Sequence, residues 1–362
     1  MNIIVEIQHP AHIHHFKNMI WDLEKKGHNI QICTTDKDVS LSLLDNYGFK
    51  YEILGINKGK SLLLGKIPLL IKFEWKMYKI AKKFRPDLFI SRGSPISAHI
   101  SALFHKPYII SSDSEPVALG RILSFPFANA IYIPSSFRKE IKNDKIIKID
   151  GYKEMAYLHP NYFKPDPSVL AELGLDSNDE YVVIRFVSLK AYHDVGIKGI
   201  QNKIEFVQKL SKYTTVYISS EEPLPYELSD FKLPTKSTRI HDVLYYAKML
   251  VCDSQTMTTE AAILGTPVIR CNSFVGENDM GNFIELEEKY GLIFNYKKTD
   301  DALNKAIELV QRDDLKEEWK HKRNRLLDDK IDVTKFMIWF VENYPLSFKR
   351  IKQNPEIQYQ FK

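Results

Sequence analysis

What most constrains this chain is a repeated exchange between short apolar runs rich in β-branched residues and longer stretches with a helical period. The first set of such runs is Ile3–Ile7, Ile30–Thr34, Tyr51–Leu54, Leu88–Ser91, Tyr108–Ser111, Ala130–Ile133 and Lys145–Ile149, with helical stretches such as Ile13–Lys26 and Lys66–Phe84 between them. Strands that are apolar at consecutive positions must be covered on both faces, and parallel strands need crossovers of about a dozen residues or more, usually helical. The period is lost over Gly151–Pro167, where three prolines fall among polar residues. A second set then runs Tyr181–Phe186, Thr215–Ser219, Met249–Cys252, Pro267–Arg270 and Leu292–Asn295, and the chain reads as helical from Thr299 to about Tyr344. The expected class is α/β.

A chain of 362 residues exceeds the length at which one core stops growing, so two domains are expected. We place a Rossmann-like acceptor domain at 1–155, a linker at 156–178, a second Rossmann-like domain for a nucleotide sugar at 179–330, and a helix and tail at 331–362 packing back on the first. Two doubly wound halves are expected to face each other across a cleft at the carboxyl ends of their strands, where ligands bind. The net charge of +5 is too mild for a nucleic-acid partner. The three cysteines, Cys33, Cys252 and Cys271, sit in or beside apolar runs without metal spacing and read as reduced buried thiols. MNIIVEI reads directly as a strand rather than a leader, and no apolar run is long enough to span a bilayer, so a cytoplasmic protein is expected.

One stretch carries the chemistry. DSQTMTTEAAILGTPVIR, from Asp253 to Arg270, follows the apolar run MLVC and opens a helix near Ser254. The free N–H groups and positive dipole end of such a helix attract anions, and Ser254, Gln255 and Thr256 add side-chain donors. Glu260 lies about 9 Å further along the axis, roughly the reach from a diphosphate to a ribose diol. Gly265 then caps the helix. The plain alternative is an ordinary N-cap with Thr258, Thr259 and Glu260 facing solvent.

These residues resemble the nucleotide-binding helix of sugar-nucleotide enzymes with the two-domain GT-B fold, among them the lipid-intermediate N-acetylglucosaminyltransferase of peptidoglycan synthesis and the UDP-N-acetylglucosamine 2-epimerases. The chain as a whole resembles the DUF354 family through HPAHIHHFKN, GYKEMAYLHP, RFVSLKAYHD, IHDVLYYAKMLVCDSQTM and IRCNSFVG, between residues 9 and 276. The resemblance implies that the loop at Arg185–Ser188 faces the diphosphate, which Arg185 would grip as a bidentate fork. It also implies that His241 borders the nucleobase. Lys190, His193 and Asp194 trail the same loop. The plain readings are that Arg185 pairs with a carboxylate of the fold and that His193 is a loop residue.

In the first half, Gln8–His15 occupies the position after the first strand where a dinucleotide enzyme carries GxGxxG. Without glycine a pyrophosphate cannot approach that backbone, so a different substrate is expected there. His9 and His12 suit hydroxyl activation near neutral pH. His14 and His15 read as starting a helix and pointing apart, which argues against zinc. Asp113 and Glu115, in SSDSEP, could serve as base on an acceptor hydroxyl; equally, Asp113 could cap a helix beginning at Glu115. Residues 58–85 mix lysines with leucines, Phe73 and Trp75, which suits anionic lipid, the plain alternative being a helix with one core face and one solvated basic face.

The reading is a metal-independent glycosyltransferase with no cofactor, moving a sugar from a nucleotide diphosphate donor, UDP-linked, to a glycan or lipid-linked acceptor in surface polysaccharide or glycoconjugate synthesis. It would be cytoplasmic, with peripheral contact on the inner face of the membrane through 58–85. A 2-epimerase or hydrolase is the alternative, weakened because the resembling epimerases carry an acid where this chain has Gly93–Ser94. A non-catalytic nucleotide-sugar binding protein is the third reading.

Overall fold

The structure, a computed structural model, describes residues 1–36, 40–56, 63–113, 115, 118–188, 198–277 and 279–362. The chain divides into two compact units, Met1–Tyr157 together with Lys330–Lys362, and Leu158–Asp329.

The first unit is built on a seven-stranded sheet of β1 (Asn2–Ile7), β2 (Asn29–Asp36), β3 (Tyr51–Ile56), β4 (Leu88–Ser91), β5 (Tyr108–Ser111), β6 (Ala130–Pro134) and β7 (Ile146–Ile149). Its order is β3-β2-β1-β4-β5-β6-β7 with every pair parallel. Ile3, Ile4, Val5 and Ile7 are all fully buried, as a strand covered on both faces requires. The helix Pro10–Lys25 lies on this sheet through Ile13, Phe16, Met19, Ile20 and Leu23, a spacing of three and four.

One local expectation changes here. The helix starts at Pro10 rather than Ile13, because proline at the first helical position has its φ preset and no N–H to satisfy, while the His9 ring accepts from the Ala11 N–H. His12 therefore rides on the helix with His14 and His15 instead of lining a loop.

The last segment of the chain belongs to this unit. The Ile331 N–H donates to the Asp150 carbonyl at 2.9 Å and the Thr334 hydroxyl to the Ala156 carbonyl at 2.7 Å. The helix Val333–Glu342 packs Phe336 and Phe340 against Tyr132, with centroids 5.8 and 6.1 Å away.

The second unit carries a five-stranded parallel sheet of β8 (Tyr181–Phe186), β9 (Thr215–Ser220), β10 (Met249–Cys252), β11 (Val268–Cys271) and β12 (Ile293–Tyr296), in the order β12-β11-β10-β8-β9. Residues 158–178, read from the sequence as mostly linker, are part of this unit from Leu158. Val169 is fully buried, and the Tyr217 hydroxyl donates to the Leu173 carbonyl at 2.7 Å. A buried ion pair closes the far side of the sheet. Arg270, with no exposed surface, donates to both oxygens of Asp279 at 2.6 and 3.0 Å and to Asn295 Oδ1 at 3.0 Å, and its guanidinium lies 3.8 Å from the Phe283 ring centroid.

Removing either partner of such a pair strands a buried charge. Arg270→Leu or Asp279→Ala is expected to cost about 3–5 kcal/mol by denaturant unfolding, and the double variant less than the sum of the two. Additivity of the two losses would show that the pair is not energetically coupled.

Candidate functional site

In the second sheet β8 lies between β9 and β10, so the strand order reverses between β8 and β10 and the segments leaving these two strands diverge. Ser254 follows β10 there. Its backbone is extended, its Oγ accepts the Met257 N–H at 3.3 Å, and the helix Gln255–Leu264 begins. The N–H groups of Gln255 and Thr256 fall in the first turn, where helix geometry offers no carbonyl, and their side chains are half-exposed. The cap is a neutral hydroxyl, so the positive end of this helix is not neutralised by its cap.

Thr258 and Thr259 do not face solvent. Both are buried, with the Thr258 hydroxyl donating to the Ser254 carbonyl at 2.6 Å and Asn282 Nδ2 donating to Thr259 Oγ1 at 3.2 Å. Glu260 is only 5% exposed, and its Oε1 lies 3.1 Å from Nε2 of His241, which stands on the helix Ile240–Tyr246.

Arg185 ends up differently from the fork expected for a diphosphate. Its Nη1 donates to Ser219 Oγ at 2.8 Å and its Nη2 to Glu221 Oε1 at 2.7 Å, while Glu221 Oε2 accepts the Ser188 N–H at 3.1 Å. The carboxylate at the end of β9 has taken the guanidinium. Beneath the same edge, Asp253 Oδ1 accepts the Val187 N–H at 2.8 Å, and a Cβ on Gly199 would collide with Oδ2. Burial pushes the Asp253 carboxyl up to about 6, with the Val187 N–H and Lys203 working against it.

The first sheet reverses its order between β1 and β4. Here the mouth of the helix Pro95–Leu103 is occupied by the chain itself. Glu6, fully buried, accepts the Ser97 N–H at 3.1 Å, the Ser97 hydroxyl, the Ser94 hydroxyl at 2.7 Å and Gln8 Nε2 at 2.8 Å. Burial pushes this carboxyl up while those donors resist the shift.

Above that plug stand the histidines. His9 is exposed and His12 half-buried, with ring centroids 6.0 Å apart. His12 Nδ1 accepts the Gln8 N–H at 3.3 Å, and burial, followed by Arg92, holds its pKa well below the ordinary imidazole range. The neutral ring then carries its proton on Nε2 and presents a donor, not a base. His15 is deeper. Its Nδ1 lies 3.2 Å from the Lys153 carbonyl, to which it can only donate, so Nε2 accepts from Ser111 Oγ at 2.9 Å. Burial and Arg92 push it down to about 3.

Glu115 is not helical, and the next helix among the described residues is Ala118–Ser124, so the structure does not show a helix beginning at Glu115 for Asp113 to cap. The Asp113 carboxylate instead pairs with Arg92 and, at 2.6 Å, with Lys153, whose Nζ is also 2.6 Å from Glu154 Oε1. Burial opposes ionisation of Asp113, yet Arg92 and Lys153 hold its carboxyl well below the ordinary range. Glu115 is half-buried, and its carbonyl accepts from Arg121 at 2.7 Å. Among the described residues, no cluster of three or more histidine, cysteine or acidic side chains is placed to hold a metal ion.

A sequence profile of the family described as protein of unknown function (DUF354) matches residues 1–344. The chain is a member of the DUF354 family. It is 22% identical over 333 residues to the uncharacterised protein MJ0665 of Methanocaldococcus jannaschii, covering 87% of this chain and 95% of that protein. Among solved structures it is similar to the UDP-GlcNAc 2-epimerase of Neisseria meningitidis bound to UDP-GlcNAc, with a TM-score of 0.66, 13% identity, and 88% and 94% of the two chains covered. It is also similar to the SsfS6 glycosyltransferase of Streptomyces sp. SF2575, with a TM-score of 0.57, 12% identity, and 95% and 100% covered. At these identities the likeness is one of fold: this DUF354 protein has the GT-B architecture of two Rossmann-like domains.

In the DUF354 chain, Ser188, His241, Ser254, Gln255, Thr256 and Glu260 all belong to the second unit, and His9, His12, Asp113 and Glu115 to the first. Lys190, His193 and Asp194 lie outside the described residues. Four residues of consequence were not singled out by the sequence reading: Glu6, Arg92, Lys153 and Asp253. Glu6 sits in β1 and Arg92 and Asp253 immediately follow β4 and β10, so a polar residue within or ending an apolar run is the signal that could have found these three; Lys153, four residues past β7, carries no such signal.

Asp253 makes the stability of this protein pH-dependent. A carboxyl raised from 3.8 to about 6 holds its proton longer in the folded state, so its contribution is most favourable near pH 4 and declines by about 3 kcal/mol as pH rises through 6. Asp253→Asn cannot ionise, so unfolding curves at about pH 4 and about pH 8 should show the variant gaining on the parent at the higher pH. An equal difference at both values would rule out a raised carboxyl.

Proposed function

We propose that this protein is a glycosyltransferase that holds a nucleoside diphosphate sugar, UDP-linked, on its second unit and passes the sugar to a hydroxyl of a glycan or lipid-linked acceptor. The observation that carries this reading is the contrast between two helix mouths. In the first unit the mouth at the strand-order reversal is filled by Glu6, whereas in the second, among the described residues, the side-chain cap is the Ser254 hydroxyl. A diphosphate fits the second, receiving the N–H groups of Gln255 and Thr256 and the positive dipole end. The ribose diol then reaches Glu260, which His241 orients, and Ser188 lies after β8 on the same edge.

In the reaction the acceptor oxygen bonds to the anomeric carbon, the bond from that carbon to the diphosphate breaks, and the acceptor proton leaves to a base. The helix dipole stabilises the charge that develops on the diphosphate. His12 offers its Nε2–H to orient the acceptor. His9, exposed at the start of its helix, is the group assigned to take the proton, at the cost of its 3.2 Å cap bond, about 1 kcal/mol. Asp113, held ionised by Arg92 and Lys153, is a poor proton acceptor and serves to position those cations.

A lipid-linked acceptor fits one further feature of the first unit. On the helix Leu63–Phe84, Phe73, Met77 and Ala81 are buried, while Ile71 and Trp75 remain 60% and 58% exposed among Lys72, Lys76 and Lys79. Lysine heads around exposed apolar side chains support peripheral contact with an anionic lipid surface. No helix of the described residues is long and apolar enough to cross a membrane.

Incubation with a panel of nucleotide sugars, with and without acceptors, should give acceptor-dependent diphosphate release. Sugar isomerisation without an acceptor would replace transfer by epimerisation, and binding without turnover would make this a carrier. Glu260→Ala should weaken UDP binding about 10- to 100-fold through loss of charge-assisted hydrogen bonds. His9→Ala should leave UDP binding intact and lower turnover by about 10²- to 10⁴-fold. Trp75→Ala combined with Lys76→Gln should reduce cosedimentation with anionic vesicles, and no sedimentation of the parent protein would remove the membrane contact.

A further inference from the structure

A cavity of about 230 Å³ opens in the second unit at the edge of the sheet opposite to the one just described. Glu180, Lys248 and Pro267, which immediately precede β8, β10 and β11, lie on its wall. Leu264 and Gly265, the end of the helix that starts at Ser254, also line it. It is separated from the proposed diphosphate mouth by the length of that helix, about 15 Å at the standard rise.

Its charges are unevenly matched. Lys248 pairs with Glu180, Arg312 is taken by Asp314 and Glu318 at 2.8 and 2.6 Å, and Asp179 accepts the Asp176 N–H at 2.7 Å. Lys316, Lys320 and Arg323 follow one another by four and three residues on the helix Leu315–Asp329 and so share a face, and all three line the cavity. Among the described residues no carboxylate pairs with Lys316 or Arg323, and Lys320 has only an exposed contact of 3.4 Å to Glu317. Arg323 donates through Nε to the Ile263 carbonyl at 2.7 Å, which leaves its terminal nitrogens for another partner.

The backbone accommodates this arginine by design of sequence. Gly265 has φ +82°, and a Cβ there would lie 2.7 Å from Arg323 Cδ, so only glycine lets the side chain cross the helix end. Burial lowers the arginine pKa, the cost of a guanidinium held without an anion. The wall also holds the apolar and aromatic Leu170, Leu264, Tyr245 and Tyr246, beside the polar Asn178 and the carboxylate of Asp313.

We propose that this cavity is a second ligand site, which takes the oxyanion group of a small organic molecule on Arg323, Lys316 and Lys320 and packs the body of that molecule on the two tyrosines. A phosphate or a carboxylate meets the same geometry, since both match the planar fork of a guanidinium. The site is independent of the nucleotide reading, because it opens at the other end of the helix Gln255–Leu264, about 15 Å from Ser254.

Calorimetric titration of the full chain with inorganic phosphate and with succinate, at constant ionic strength, distinguishes the two sources of the anion. Saturable binding of either probe is expected, weakened about tenfold or more in Arg323→Gln and less in Lys316→Gln, and unchanged in Glu260→Ala. Lys316 is exposed, so its variant carries the test should Arg323→Gln fail to fold. The proposal is overturned if neither probe saturates by about 10 mM, a very weak affinity. It is equally overturned if all observed binding survives both substitutions, which would put the anion elsewhere.

Discussion

A parallel strand can rejoin its neighbour only through a crossover, and where the strand order reverses, two crossovers leave in opposite directions and expose a helix mouth at the carboxyl edge. This chain contains that arrangement twice, between β1 and β4 and between β8 and β10. The proposed function depends on how each mouth is closed. At the first, a strand residue, Glu6, turns its carboxylate into the mouth and collects four donors. At the second, the corresponding strand, β8, carries Arg185, whose guanidinium goes to Ser219 and Glu221, and the cap is a hydroxyl. One half of the molecule has satisfied its own helix dipole; in the other, the proposed diphosphate would do so.

The fold was legible because its strands are apolar at nearly every position, and a run such as MLVC or YVVIRF cannot be solvated on either side. Helix boundaries near proline were less so: residues 10–12 read as loop because polar residues hid the helical start that Pro10 and the His9 ring dictate. In the site, Ser254 and Gly265 were readable because caps are local chemistry. The partners of Arg185, Asp113 and Lys153 were not. Arg185 meets Glu221 across 36 positions and Asp113 meets Arg92 across 21, and no local pattern announces which charges a parallel sheet will bring side by side. Thr258 and Thr259 show the same limit, since on their residue type alone a solvated face was equally open, yet neighbouring elements bury both.

The buried charges show how the chain tolerates such groups. Arg270 and Asp279 are fully desolvated but bidentate, and the cluster of Arg92, Asp113, Lys153 and Glu154 sets two cations against two carboxylates. Asp253 is the exception. One of its oxygens has a backbone donor and the other, pressed against Gly199, has no partner of good geometry, so the folded state pays for its charge above its raised pKa. That group lies one residue before the Ser254 cap. The poorly satisfied carboxyl thus lies beside the proposed ligand position, whereas the other buried charges are paired.

The state of the first-unit side chains bears on the choice between the two chemistries proposed for this fold. Epimerisation by elimination needs a base strong enough to remove a carbon-bound proton, and a carboxylate serves best when burial raises its pKa without a cation to restrain it. Asp113 has the opposite environment, with Arg92 and Lys153 both on its oxygens. His12 and His15 are neutral, each with Nδ1 committed to the backbone, one as acceptor and the other as donor. Transfer to a hydroxyl asks less of a base, because the leaving diphosphate supplies most of the driving force and the hydroxyl loses its proton late. It asks instead for donors that orient the acceptor and for a fixed positive field at the departing group, and those are what the His12 Nε2–H and the Ser254 helix mouth can provide.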